Sequence, residues 1–173
     1  MPLRILLADG DKAWVDKLSA SLREEGTYNV DVAYNGKEAQ LNLYNNEYFA
    51  VIINPSIQNH SGLQVLTYIS KNLADLPRFV LLDNEKLLET DEYSEDALNK
   101  KGVTEILVKP ILNKELTRLL ESYQSLKDVI SGLKKRMEFR TKRRLATLTT
   151  ILPRLRLKSF IHLRRSSLMC LLE

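Results

Sequence analysis

The stretch Phe49-Ala50-Val51-Ile52-Ile53-Asn54-Pro55 decides the fold, because five apolar residues end on an amide side chain followed by a proline. An apolar run of this length, rich in β-branched residues and closed by a turn signal, is typical of a strand buried on both faces. Similar runs occupy 4–8, 30–33, 79–82 and 104–108. Together these runs predict five short strands.

Helical patterns separate the predicted strands. Apolar residues recur at helical spacing over 14–22, over 39–44 after an Asn35-Gly36 turn, and over 63–69. The segment 85–101 is acidic and weakly periodic, which predicts a loop with a poorly specified helix. Strands that alternate with helices in this way predict a doubly wound α/β domain, in which helices cover both faces of a five-stranded parallel sheet.

Polar or charged side chains follow four of the predicted strands, namely Asp9, Asn54, Asp83 and Lys109. In a parallel sheet the carboxyl ends of neighbouring strands meet at one edge, and ligands bind where the strand order reverses. We therefore expect these four side chains to form the candidate site.

Residues 1–124 resemble the receiver domain of bacterial two-component response regulators. The resemblance is carried by Ile5-Leu6-Leu7-Ala8-Asp9, by Gly62-Leu63 eight residues after Asn54, and by Gly102 leading into Ile106-Leu107-Val108-Lys109-Pro110. It implies a flavodoxin-like sheet of order 2-1-3-4-5. It also implies protein partners in a bacterial signalling pathway, contacted through the fourth and fifth strands and the flanking helices.

In the family that this chain resembles, an aspartate at the end of the third strand accepts a phosphoryl group, and Asn54 falls at that position. An amide carries no full charge and is a poor nucleophile for phosphorus, so we expect no phosphorylation there. Deamidation to aspartate usually needs the next backbone nitrogen to attack the side chain, and Pro55 has no N–H to do so. The resemblance therefore implies a degenerate, pseudo-receiver form.

Three further positions depart from the family pattern. The acidic pair that binds magnesium in the family reads Asp9-Gly10-Asp11, so one carboxylate is a glycine and we expect no magnesium cofactor. Where the family has a hydroxyl at the end of the fourth strand, this chain has Asp83, which would repel phosphate. A shift of one residue would place Leu82 there, and leucine cannot donate a hydrogen bond.

The aromatic switch position of the family is occupied by Ile106, so no ring can rotate there. Four positions keep the residue that the family pattern has there, namely Asp9, Asp11, Lys109 and Pro110. We expect Lys109 to pair with Asp83 or Asp9 in a permanent structural cluster. The alternative is that Lys109 is a solvated lysine near several acids.

The net charge of +4 hides a difference between the two parts of the chain. Residues 1–126 are net acidic, whereas residues 127–173 are strongly basic. We therefore predict a C-terminal extension over 125–173, helical to about residue 147, that is either a complete element or part of a truncated second domain. The alternating residues 154–158, which follow Pro153, predict a strand.

A basic patch in this extension comprises Lys134, Lys135, Arg136, Arg140, Lys142, Arg143 and Arg144. Spaced Lys and Arg suffice to contact nucleic acid phosphates or an acidic protein. Arg140 and Arg144 also resemble the RxxxR signature with which PilZ domains bind a cyclic dinucleotide, although the second motif of that family is missing.

An apolar seam precedes the basic patch, formed by Leu126, Ile130, Leu133 and Met137 at heptad spacing. Such a seam favours a short parallel coiled coil, and hence a homodimer, although Gly132 costs about 1 kcal/mol relative to alanine in a helix. The alternative is that the seam folds back on residues 145–172.

One cysteine, no basic-then-apolar leader and no apolar run of membrane-spanning length predict a cytoplasmic protein without a membrane span. His60 and His162 have no carboxylate or cysteine at metal or triad spacing, so we expect neither a metal site nor catalysis. The sequence thus predicts a non-enzymatic signalling protein that acts by protein–protein interaction. Alternatives are a nucleic-acid-binding regulator and a cyclic-dinucleotide-responsive protein, both using the basic patch.

Overall fold

The computed structural model describes the backbone of residues 2–24 and 26–169, and the side chains of these residues up to 142. The elements in chain order are β1 Leu3–Ala8, α1 Lys12–Glu24, β2 Tyr28–Ala33, α2 Gly36–Asn45, β3 Ala50–Ile53, α3 Gly62–Asn72, β4 Arg78–Leu82, a 3-10 helix Glu85–Glu89, α4 Glu95–Lys100, β5 Glu105–Val108 and α5 Asn113–Met169. By its contacts the chain divides into two units, Met1–Leu119 and Leu120–Glu173.

The five strands form one parallel sheet in the order β2-β1-β3-β4-β5, which confirms the predicted fold. All residues of β3 and of β4 are buried, as expected for central strands covered on both faces. Each of the five predicted strands is present, with ends that differ by only one or two residues.

The Asn35-Gly36 pair begins helix α2 and is not a separate turn as predicted. The Asn35 side chain accepts a hydrogen bond from the Glu38 N–H at 2.9 Å, and its amide donates to the Glu38 carboxylate at 2.7 Å. The first of these bonds satisfies the Glu38 N–H, one of the backbone groups that the first turn of a helix leaves unpaired. Of the apolar residues in the helix, Leu41 and Tyr44 are exposed, so the buried stripe is narrower than the pattern indicated.

Helix α5 extends to Met169, well beyond residue 147, and includes the segment 154–158 that was predicted as a strand. The strand prediction was wrong because alternation over five residues is too short to outweigh the helical preference of Leu, Arg and Lys. Residues 126–137 and 145–169 belong to this one helix, so the second segment does not fold back on the seam. Within the described residues, no helix is long and apolar enough to cross a membrane.

Candidate functional site

The candidate site lies at the carboxyl edge of the sheet, where residues that directly follow four strands converge. The register of the sheet aligns Ala8 with Ile53 and Leu82 with Val108, so the strands end at nearly the same level. Asp9, Asn54, Asp83 and Lys109 are therefore neighbours, as their sequence positions indicated, and they form what we call the Asn54 cluster.

The Asn54 side chain is the centre of this cluster and is only 4% exposed. Its Nδ2 donates to Asp9 Oδ2 at 3.1 Å and to Asp83 Oδ1 at 2.9 Å. Its Oδ1 accepts from the Ser56 N–H at 2.9 Å. An ionised aspartate at this position could only accept, because an ionised carboxylate has no hydrogen to donate. The amide therefore makes two contacts that the family's carboxylate could not make.

Lys109 pairs with both of its expected partners. Its Nζ lies 2.5 Å from Asp9 Oδ2 and 2.9 Å from Asp83 Oδ1, so each of these two oxygens accepts from the lysine and from Asn54. Asp9 is almost fully buried, whereas the Asp83 side chain is 47% exposed. The Lys109 ammonium also lies 4.6 Å from the centre of the Trp14 ring, within cation–π range.

The negative charge of Asp83 and the positive charge of Lys109 stabilise each other. Burial alone would raise the pKa of the Asp83 carboxyl, but hydrogen bonds from Lys109 and Asn54, together with the charge of Lys109, hold that pKa below its usual value. Burial alone would lower the pKa of the Lys109 ammonium, but hydrogen bonds and charges from Asp9 and Asp83 hold that pKa above its usual value. The contacts between Lys109 and Asp83 therefore favour the charged form of both groups.

The acidic positions after β1 are occupied by internal hydrogen bonds. Asp9 Oδ1 accepts from the Asp11 N–H at 2.9 Å, and Asp11 Oδ1 accepts from the Trp14 N–H at 3.1 Å, which caps the first turn of α1. Mg²⁺ needs several oxygen ligands in octahedral arrangement. The Asp9 oxygens already hold an ammonium and backbone or amide donors, and Gly10 supplies no side-chain ligand. Across the described part of the chain, no group of three or more His, Cys, Asp or Glu side chains is placed to hold a metal ion.

A cleft of about 330 Å³ opens beside the cluster. It is lined by Asp9, Gly10, Asp11, Tyr34, Asn54, Ser56, Ile57, Gln58 and Asp83. The loop after β3 that forms one wall is tied to the start of α2, because the N–H groups of Gly36 and Lys37 donate to the carbonyls of Gln58 and Asn59 at 3.0 and 2.9 Å. The wall is therefore fixed by backbone contacts.

Sequence reasoning did not identify Trp14 and Tyr34 as parts of the site. Trp14 counted only as an apolar residue of a helix, although its position in the first turn after β1 could have placed it at the carboxyl edge. Tyr34 donates its hydroxyl to Asp16 at 2.6 Å, and this contact raises the pKa of Tyr34. Neither contact leaves a signal in the sequence.

Of the other family positions, Ile106 lies on β5 and Pro110 follows that strand. Ile106 is partly buried and packs against the main hydrophobic core. The peptide bond between Lys109 and Pro110 is cis.

The predicted seam and basic patch both lie on α5 and are exposed to solvent. Leu126, Ile130, Leu133 and Met137 have exposed fractions between 44% and 68%, as expected for a face without a partner in one chain. The side chains of Lys134, Lys135, Arg136, Arg140 and Lys142 are exposed as well. Those of Arg143 and Arg144 lie outside the described side chains.

Comparison with known proteins places residues 5–121 in one family, whose model is described as "Response regulator receiver domain". The response regulator MprA of Mycobacterium sp. (strain KMS) is 33% identical over 112 residues, which are 62% of this chain and 48% of MprA. The chain thus spans about half the length of the curated relatives it matches.

Two solved structures illustrate the likeness in three dimensions. The response regulator TrrA of Thermotoga maritima, in complex with Mg²⁺-BeF, is 29% identical with a TM-score of 0.59, covering 70% of this chain and 98% of TrrA. A CheY-like receiver domain protein of Methanospirillum hungatei has a TM-score of 0.66 at 20% identity, covering 74% of this chain and 98% of that protein, and shows the fold alone.

Proposed function

Since this chain belongs to the response regulator receiver family, we propose that it is a two-component signalling protein whose receiver domain works without phosphorylation, by contact with protein partners. The observation that carries the proposal is the position of the Asn54 amide, which donates to Asp9 and Asp83 while Lys109 bridges the same two carboxylates. The cluster replaces the phosphoryl chemistry with a fixed set of internal contacts. No enzymatic activity is proposed.

We also propose that the protein does not require magnesium. TrrA of Thermotoga maritima holds Mg²⁺-BeF. In this chain the Lys109 ammonium lies against the most buried carboxylate, that of Asp9, and Gly10 contributes no side-chain oxygen. A lysine that already neutralises the acidic residues removes much of the attraction for a divalent cation.

We expect Asn54→Asp to lower the free energy of unfolding by about 2 kcal/mol at pH 7, because it removes two hydrogen bonds donated to carboxylates and adds a third negative charge. Chemical denaturation at neutral pH measures the change. Asn29→Asp is the matched control, since Asn29 is exposed on β2, and its change is expected to stay within about 0.5 kcal/mol.

Chemical denaturation in the presence of Mg²⁺ tests whether the protein binds this cation. We expect the metal to leave the stability of the wild-type protein unchanged. If Asn54→Asp proved as stable as the wild-type protein, the amide would have no structural role and the proposal would lose its main support. Saturable stabilisation of the wild-type protein by Mg²⁺ would show that the site still binds the cation.

We propose further that the chain forms a homodimer through α5. The seam residues Leu126, Ile130, Leu133 and Met137 are exposed in one chain, and the residues that follow them along the chain continue the same helix. A second copy in parallel would bury the seam, as in a coiled coil.

The combined substitution of Ile130→Glu and Leu133→Glu is expected to convert the dimer to a monomer, because charged side chains would have to be buried in the seam. Sedimentation equilibrium measures the mass. Ser131→Glu adds a charge to the same helix outside the seam and should leave the dimer intact. A monomeric wild-type protein, or a double variant that stays dimeric, would contradict the assignment of the seam.

A further inference from the structure

A groove that includes three lysines in its lining lies between α3 and α4. It has a volume of about 440 Å³ and is lined by Thr67, Ser70, Lys71, Ala97, Lys100 and Lys101. The lining contains three lysines and no acidic residue. Lys71 and Lys100 lie in the last turns of their helices. A cation in the last turn of a helix interacts favourably with the negative end of the helix dipole. This interaction explains in part why lysines occupy these two positions.

Arg78, the first residue of β4, lies behind this groove and is 5% exposed. Its Nη1 donates to Ser70 Oγ at 3.0 Å and its Nη2 donates to the Ala74 carbonyl at 3.0 Å. Its Nε is buried and has no hydrogen-bond partner among the residues that the structure describes. Ser70 is shared with the groove, so the guanidinium is linked to the lining by a direct hydrogen bond.

The cations of this region make no close ion pair with the protein. Among the described residues, no carboxylate is found in ion-pair contact with Arg78 or with a lysine of the groove. Burial lowers the pKa of Arg78, which reflects the cost of keeping its charge away from water. A buried charge without a counterion is costly, and a helix dipole does not explain Arg78, since it lies on a strand.

We propose that the groove between α3 and α4 binds a phosphate monoester, which supplies the missing counter-charge. A dianion matches the positive charge of the three lysines of the lining, and Lys71 and Lys100 can donate to different phosphoryl oxygens. Arg78 does not reach the ligand in this arrangement. It acts as a positioning residue that holds Ser70 and adds positive potential beneath the groove.

A lysine binds phosphate through its compact ammonium charge. The three lysines of the groove differ in whether their ammonium groups already donate to another side chain. Lys101 Nζ already donates to Thr67 Oγ1 at 3.0 Å, which fixes its direction. Lys71 and Lys100 make no side-chain hydrogen bond or ion pair within the described residues, so their donors are available. These two lysines are therefore the ones to substitute.

The experiment titrates the full chain with two probes, AMP as a free phosphate monoester and a short peptide containing phosphoserine. Backbone amide shifts of residues 67–71 and 97–102 are followed by NMR. We expect saturable shifts with at least one probe, and the stronger probe identifies the source of the phosphate. Lys71→Gln with Lys100→Gln should weaken the apparent Kd roughly tenfold, because two charge-assisted contacts are lost.

Lys17→Gln with Lys37→Gln is the control, since both lysines are exposed and lie outside the groove. An absence of saturable shifts with both probes would overturn the proposal, and so would an equal loss of affinity in the control pair. Arg78→Leu provides a second measurement. Its Tm without ligand is the baseline, since the substitution removes the buried charge together with its hydrogen bonds to Ser70 and Ala74. The increase in Tm that AMP or the peptide produces in the wild-type protein should be smaller in this variant, and an undiminished increase would contradict the role of Arg78.

Discussion

Lys109→Ala is expected to lower the free energy of unfolding by about 3 kcal/mol at pH 7, as is typical when one partner of a buried ion pair is removed. Lys109 is the cation that contacts Asp9 and Asp83, at 2.5 and 2.9 Å, and Asp9 is almost fully buried. Without the ammonium, two negative groups would face each other across Asn54 with only its amide between them. The loss of packing against the Trp14 ring adds to the cost.

The pH dependence of this loss identifies its cause. The pKa of Asp83 is lowered in the folded state, so its contribution is present above the unfolded value of about 3.9 and is lost as pH falls through the folded value. The pKa of Lys109 is raised, so its contribution is present below about 10.4 and is lost as pH rises through the folded value. The difference between wild-type and variant proteins should therefore be largest between these limits and shrink below about pH 4.

Chemical denaturation of both proteins from neutral to acidic pH measures this difference. Lys37→Ala is the control, because Lys37 is exposed and makes no ion pair within the described residues. Its unfolding free energy should stay within about 0.5 kcal/mol of the wild-type value at every pH. A Lys109→Ala protein as stable as the wild-type protein would show that Lys109 is merely solvated, and a loss that is the same at all pH values would exclude the ion pairs as its source.

Gly36→Ala is expected to lower the free energy of unfolding by about 3 kcal/mol through steric overlap. A Cβ atom at Gly36 would lie 1.6 Å from the carbonyl oxygen of His60 and 3.1 Å from that of Asn59. These are backbone atoms, and Asn59 and His60 already have positive φ angles of 52° and 68°. The loop has little freedom to yield, because it is hydrogen-bonded to the first turn of α2 at the same point.

Gly10→Ala is the matched control for this substitution. A Cβ atom at Gly10 would have the Tyr34 carbonyl oxygen as its nearest neighbour, at 4.0 Å, so the change in unfolding free energy should stay within about 0.5 kcal/mol. Thermal and chemical denaturation measure both variants. If Gly36→Ala retained the stability of the wild-type protein, the loop after β3 would not be packed against α2 as described.

The fold could be predicted from the sequence because its signals are local. The five-residue apolar run at 49–53 marks a central strand by itself, and the polar residues that follow each strand lie at one edge in any parallel sheet. For this reason the sequence alone predicts that four residues lie close together, namely Asp9, Asn54, Asp83 and Lys109. The choice between Asp9 and Asp83 as partner of Lys109 was left open, because it depends on side-chain directions that spacing does not determine.

Other features depend on tertiary contacts and could not be predicted. The ring of Trp14 meets Lys109 across a large sequence separation, and the loop after β3 meets α2 through backbone carbonyls that any residue type could provide. The burial of Arg78 was equally hidden, because an arginine at the start of an apolar run normally indicates a solvent-exposed strand end. In α5 the alternation over 154–158 indicated a strand, whereas the segment is helical.

The most direct test of the central claim is the intact mass of the protein after incubation with acetyl phosphate and magnesium. Because Asn54 is engaged as a donor to two carboxylates and Lys109 lies against both, we predict a mass identical to that of the untreated protein. A phosphoryl increment that disappears when Asp9 or Asp83 is substituted would contradict this account, since another carboxylate of the cluster would then be the acceptor of a working phosphorylation switch.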